Sequence, residues 1–139
     1  MRPRGILLLA GVLGAVGMAL AAFSAHGLEK WLQQRVVAAD EISVRLEQCD
    51  IAVRYHMLHV LALLGLGVAS SAATSRLRIV AATLFVLGIL LFSGGLYAMV
   101  FFGRAGHWSI VPSGGLSLIA GWLCVAAMAF PREGEDDDG

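Results

Sequence analysis

The chain has 139 residues, 58% of them hydrophobic and only 14% charged, with a mean hydropathy of +0.80. A soluble domain of this length carries about a quarter charged residues, so the composition excludes an ordinary soluble enzyme and points to a single membrane-embedded domain. The formal net charge is zero, which removes the basic field a nucleic-acid binder needs, and two cysteines, Cys49 and Cys124, set no disulfide framework.

Residues 5–25 contain no charged side chain. As a helix they reach across about 30 Å, the thickness of the hydrocarbon core. Arg2 and Arg4 precede them, and small residues surround Ala22-Phe23-Ser24, so a cleaved signal peptide is the competing reading. The run is longer than a usual signal core. Gly11, Ala15 and Ala19, and again Gly17, Ala21 and Ala25, recur every four residues. Such faces let helices approach closely in lipid, so a retained first span is expected.

Residues 26–53 are the long polar connection, expected to be extramembrane and partly helical. Leu28, Trp31 and Leu32 keep helical spacing, with Trp31 suited to the interface. Asp40 is a plausible N-cap for a second helix. Ile42, Leu46, Cys49 and Val53 step by four, three and four, which predicts one helix from about residue 41 to residue 73. Glu41, Arg45, Glu47 and Asp50 read as its solvated face, and residues 55–74 as its membrane part.

A basic turn at 75–78 leads to a third span over 79–102, interrupted by Ser93-Gly94-Gly95. A glycine pair inside a membrane helix marks close packing or a kink. Pro112 suits the first turn of a fourth span, about 112–130. The expected fold is therefore all-α: a four-helix transmembrane bundle in one domain, residues 1–131, with spans at about 5–25, 55–74, 79–102 and 112–130. Residues 132–139 read as a disordered acidic tail. Gly11, Gly14, Gly17, Gly94, Gly95, Gly114, Gly115 and Gly121 are the expected helix-packing positions.

Four spans put both termini on one side. Arg2, Arg4, Arg76, Arg78 and Arg132 fall there; Lys30, Arg35, Arg45, Arg54 and Arg104 fall on the other. The numbers tie, but the first set lies tight against short segments, where the positive-inside rule has most force. Cytoplasmic termini are expected.

This topology sends His26, His56, His59 and His107 to one membrane face, with Tyr55 beside them and Tyr97 approaching the same level. These six are the candidate ligand- or lipid-contacting residues. His56 and His59 share a helix face. They could act as metal ligands with His26 or His107 as a third, or contact haem or quinone. No carboxylate or thiol pattern completes a metal site, so no metal is expected, with His26 and His59 only weak candidates. The plainer reading makes His56 and His59 hydrogen-bonding groups that tie neighbouring spans together. No phosphate loop, nucleophile elbow or His-Glu-x-x-His is present. The spans also hold no acid for a proton path. A catalyst is not expected, and neither is a cofactor.

Three stretches carry a resemblance. They are Gly14-Ala15-Val16-Gly17 through Ala22-Phe23-Ser24-Ala25-His26-Gly27-Leu28; Arg54-Tyr55-His56-Met57-Leu58-His59-Val60-Leu61-Ala62-Leu63-Leu64; and Leu91-Phe92-Ser93-Gly94-Gly95-Leu96-Tyr97, followed by Pro112-Ser113-Gly114-Gly115 and Gly121-Trp122. Together they resemble the domain of unknown function 423 (transmembrane protein 256) family of small four-span membrane proteins. The resemblance implies a retained first span and residence in the bacterial plasma (inner) membrane. It implies no reaction, substrate or cofactor. The expected role is a structural or accessory subunit, packing among membrane lipids as a homo-oligomer or within a larger complex. The alternatives are a module holding a metal, haem, quinone or lipid at the histidine-bearing face, and an oligomeric channel or small-molecule transporter.

Overall fold

The computed structural model describes residues 3–35, 37–69, 75–103 and 109–130. His107 and the expected acidic tail lie outside the described residues. Helix α1 runs Pro3–His26, α2 Leu28–Gln34, α3 Ala39–Val68, α4 Ser75–Gly88, α5 Gly94–Phe102 and α6 Ile110–Ala127. A π turn, Ile89–Ser93, joins α4 to α5 in one rod. Four apolar helical rods are long enough to cross a membrane: Pro3–His26, Ala39–Val68, Arg76–Phe102 and Ile110–Ala127.

The rods form an all-α bundle with a definite order. Helix α1 packs on α3, and both α3 and α6 pack on the third rod. Helix α3 is the inner spine. Its buried residues Cys49, Ala52, His56, His59, Val60, Leu63, Leu66 and Gly67 step by three and four, as a helix with one committed face must. The main core gathers Ile6 and Ala10 from α1, Val60 and Leu63 from α3, Phe85 and Ile89 from the third rod, and Leu118 from α6. A smaller core near the polar connection joins Leu28 and Leu32 of α2 to Cys49 and Val100. There Trp31 packs edge-on against Phe101, and the Arg35 guanidinium lies 4.1 Å from the Trp31 ring centre.

Glycines set how closely the rods approach. A Cβ on Gly114 would stand 2.3 Å from the Phe92 amide nitrogen, so α6 rests on the backbone of the π turn. Gly88 and Gly121 admit Leu118 and Phe85 in the same interface, Gly95 admits Val111, and Gly14 admits Val60. The contact expected at Gly11 is not made among the described residues. Gly11 lies on the outward side of α1, with none of their atoms within 4 Å of a Cβ placed there. Gly94 and Gly115 meet neighbours only at ordinary contact distance.

The boundaries of α3 differ from the expected ones. It starts at Ala39 with Ala38 as an extended N-cap that makes no side-chain bond. Asp40 falls inside the first turn, where a carboxylate still favours the helix dipole. The helix closes at Val68, not near residue 73, because Ala69 turns extended.

The reading of Arg45 as part of a solvated face also fails. Its side chain is only 13% exposed, and Nη1 donates to the Val100 carbonyl at 3.0 Å. That carbonyl belongs to the last turn of α5, which ends on Gly103 in the left-handed region, φ 62°. Arg45 also pairs with Glu41. Arg78 does the matching job at the other membrane face, where its Nη1 donates to the Ala69 carbonyl at 2.7 Å. Each guanidinium thus satisfies a carbonyl that a helix end would leave without a partner, and places a cation at the negative end of the dipole.

Candidate functional site: two histidines on the inner helix

His56 and His59 both lie on the buried face of α3, at 3% and 2% exposure. They do not sit at the mouth. His59 is nine positions from the end of α3 at Val68, about 14 Å of helix. Its partner Trp122 is five positions from the end of α6. Helix α6 has 18 residues, about 27 Å, close to the ~30 Å hydrocarbon core, so the pair lies well inside it. The common histidine surface expected from the spans is therefore absent among the described residues. The cause is how α1 lies along α3: its last residues reach the level of Cys49, about two to three turns before the two rings.

His59 is fully engaged. The Trp122 indole N–H donates to its Nε2 at 3.1 Å. Its Nδ1 lies 2.7 Å from the Tyr55 carbonyl. An indole nitrogen only donates and a carbonyl only accepts, so these two bonds require the neutral ring with its hydrogen on Nδ1. Neither nitrogen keeps a lone pair for a metal. The ring also stacks near-parallel on Tyr55, centres 6.4 Å apart, and meets Phe85 at 5.4 Å. His59 thereby ties α3 to α6 across an interface that otherwise runs through the third rod.

His56 is half engaged. Its Nδ1 meets the Tyr97 hydroxyl at 3.3 Å, which ties α3 to α5. Its other edge lodges against α1, where Gly17 leaves a notch. A Cβ on Gly17 would stand 3.4 Å and 3.5 Å from the ring carbons and 2.6 Å from the Met57 sulfur. The Leu13 carbonyl faces the ring from α1, yet Nε2 completes no hydrogen bond. Ser93, in the π turn, also buries a hydroxyl without a partner. Buried polar atoms of this kind are costly, more so where no water reaches.

The other sequence candidates disperse. His26 is exposed at the end of α1 and lines a polar depression of about 560 Å³ with Ser24, Glu29, Lys30 and Gln33. Ser24, two residues before it, neighbours Cys49, so His26 stands about ten residues, some 15 Å of helix, from His59. The pairing of His26 with His59 as metal candidates is not formed. Among the described residues no three of His, Cys, Asp and Glu converge. Tyr55 is half exposed and covers His59 from the lipid side. Sequence reasoning did not give Trp122 a role. The available signal was its indole N–H inside an apolar span, which needs an acceptor in lipid.

Comparison with known proteins completes the picture. The family described as protein of unknown function (DUF423) matches residues 20–115. The UPF0382 inner membrane protein YgdD of Escherichia coli K12 is 33% identical over 137 residues, covering 96% of this chain and 97% of that protein. A UPF0382 membrane protein of Haemophilus influenzae is 32% identical over 124 residues, covering 89% and 92%. One from Staphylococcus haemolyticus is 32% identical over 124 residues, covering 89% and 93%. No solved structure matches the chain significantly. With four apolar rods and kinship along nearly its whole length, the chain belongs to the DUF423 family of bacterial membrane proteins.

Proposed function

We propose that the chain is a non-enzymatic accessory subunit of the bacterial inner membrane, which packs through α1 against a second copy or a larger membrane complex. The observation that carries this reading is the outer side of α1. Only Ile6, Ala10 and Gly17 of its 24 residues are buried. Gly11, Ala15 and Ala19 stand exposed at four-residue spacing, flanked by exposed Leu8, Val12 and Met18. The fold uses Gly14 and Gly17 and leaves this second small face open. In lipid, where apolar surface alone gives no drive to associate, close approach at small residues is the main source of helix pairing. A structural role for the histidines supports this reading, since His59 has both nitrogens in service of the fold.

Ala15→Cys treated with a short bis-maleimide in native membranes is expected to give one cross-linked species of defined mass. Gly11→Leu should abolish it while leaving the melting temperature within a few degrees. Cross-linking to monomer only, together with a lone monomer by native mass spectrometry in nanodiscs, overturns the reading. Cytoplasmic termini are part of the same proposal. Their support is Arg4, Arg76 and Arg78, which lie against span ends. Labelling by an impermeant maleimide of a cysteine placed at residue 2 in intact spheroplasts would refute that orientation.

A further inference from the structure

A lateral groove of about 370 Å³ opens between α3 and α6, on the flank of the bundle away from α1. Tyr55 and Leu58 form one wall, Gly115, Ile119 and Trp122 the other, and Phe92 the floor. Helices α3 and α6 cross in the same direction, so the groove runs along both, from Tyr55 and Gly115 at one end to Trp122 at the other. Its rims are open: Leu58, Ile119 and Trp122 are each about half exposed. These positions lie inside apolar spans, so only a component of the bilayer reaches them.

Two features set this groove apart from ordinary lipid-facing surface. First, its shape is preformed. His59 holds the Trp122 indole by a hydrogen bond and stacks on Tyr55, and Tyr55 leans on Phe92 at 5.1 Å. Rigid walls lower the ordering cost of an occupant. The space itself exists because residue 115 has no side chain, and a Cβ there would touch only the Phe92 ring, at 3.8 Å. Second, a cation stands at one end. Arg54 is four residues before Leu58, hence on the same helix side one turn above it. Among the described residues it pairs with Asp50, both side chains being mostly exposed, 70% and 64%. Such a pair is weak, and a guanidinium has five donors, enough to hold a phosphate as well. At the edge of an apolar span this side chain reaches up toward the head-group layer.

The geometry points to a glycerophospholipid site: one acyl chain lies in the groove along Tyr55, Phe92 and Trp122, and its phosphate sits on Arg54. The site is on the flank opposite the outer face of α1 and does not depend on the subunit role. The test is native mass spectrometry of the full chain in mild detergent, with added dioleoyl phosphatidylglycerol, dioleoylglycerol or a prenyl quinone. The parent should retain one phosphatidylglycerol through a detergent wash. Gly115→Leu should lower retention at least tenfold by filling the groove, and Arg54→Gln several-fold. Leu90→Ala, on an exposed position elsewhere, should change nothing. If Gly115→Leu does not fold, Leu58→Trp narrows the groove from the other wall and carries the same expectation. Equal retention in the parent, both groove variants and Leu90→Ala would mean a non-specific lipid coat and overturn the site. Retention of diacylglycerol or quinone as strong as that of phosphatidylglycerol, with no effect of Arg54→Gln, overturns the phosphate contact and with it the assignment.

Discussion

Helix α3 meets its neighbours through two imidazoles one turn apart, and the two are not alike. On the α6 side His59 has a donor and an acceptor, and α6 itself is seated backbone on backbone where Gly114 meets the π turn of the third rod. On the α1 side His56 has one long bond and one bare nitrogen, against a notch lined by a methionine. A glycine against peptide atoms leaves no room to adjust, whereas one against the tip of a flexible side chain does. The α6 side is a fixed joint, and the α1 side can be remodelled at little cost.

Four variants test this contrast. Gly114→Ala should cost most, about 3 kcal/mol, since its methyl drives into the Phe92 peptide and neither backbone can yield. Reversible unfolding in mixed micelles measures it, and a loss below about 1 kcal/mol would deny that the joint is rigid. Trp122→Phe keeps the ring but strips the donor from His59, at about 1 kcal/mol. Nitrogen NMR of the parent should show the neutral His59 ring with hydrogen on Nδ1, and the Nε2 resonance should move in the variant. An Nε2–H tautomer in the parent would contradict the joint as described. The pair His56→Leu with Tyr97→Phe removes both members of the weak bond, so it should leave stability within about 1 kcal/mol of the parent. A larger loss would mean that His56 holds α1 more firmly than its geometry indicates. Gly17→Ala should have the smallest effect, about 0.5–1 kcal/mol, as the Met57 thioether swings aside.

The bundle itself was legible because hydropathy and length leave few options for runs such as 5–25 and 79–102. The fixed joint was much less so. Periodicity placed His56 and His59 on one helix face, and their reading as ties between spans needed only that. Their level relative to His26 depended on how α1 lies along α3, which no spacing rule gives. Arg45 looked like any charged residue on an exposed helix, because nothing local reveals a carbonyl 55 positions later in the chain. Trp122 and His59 are 63 positions apart, and no spacing rule links them. The glycines fell between these cases. Their presence announced close approach, but only the fold separates Gly114, on which a helix rests, from Gly11, which faces outward.

The π turn at Ile89–Ser93 has a consequence for register. A wide turn carries one residue more than the α-helix it interrupts. The turn absorbs that residue, because five positions in a wide turn sweep about the same arc, roughly 400°, as four in an α-helix. Excising Leu90, which is exposed, would let the segment wind as ordinary helix and leave the part beyond it aimed much as before. Tyr97 would still reach His56, Val100 the Arg45 clamp, and Gly95 would still face Val111. What such a one-codon deletion reshapes is the widened backbone around Phe92 on which Gly114 is seated.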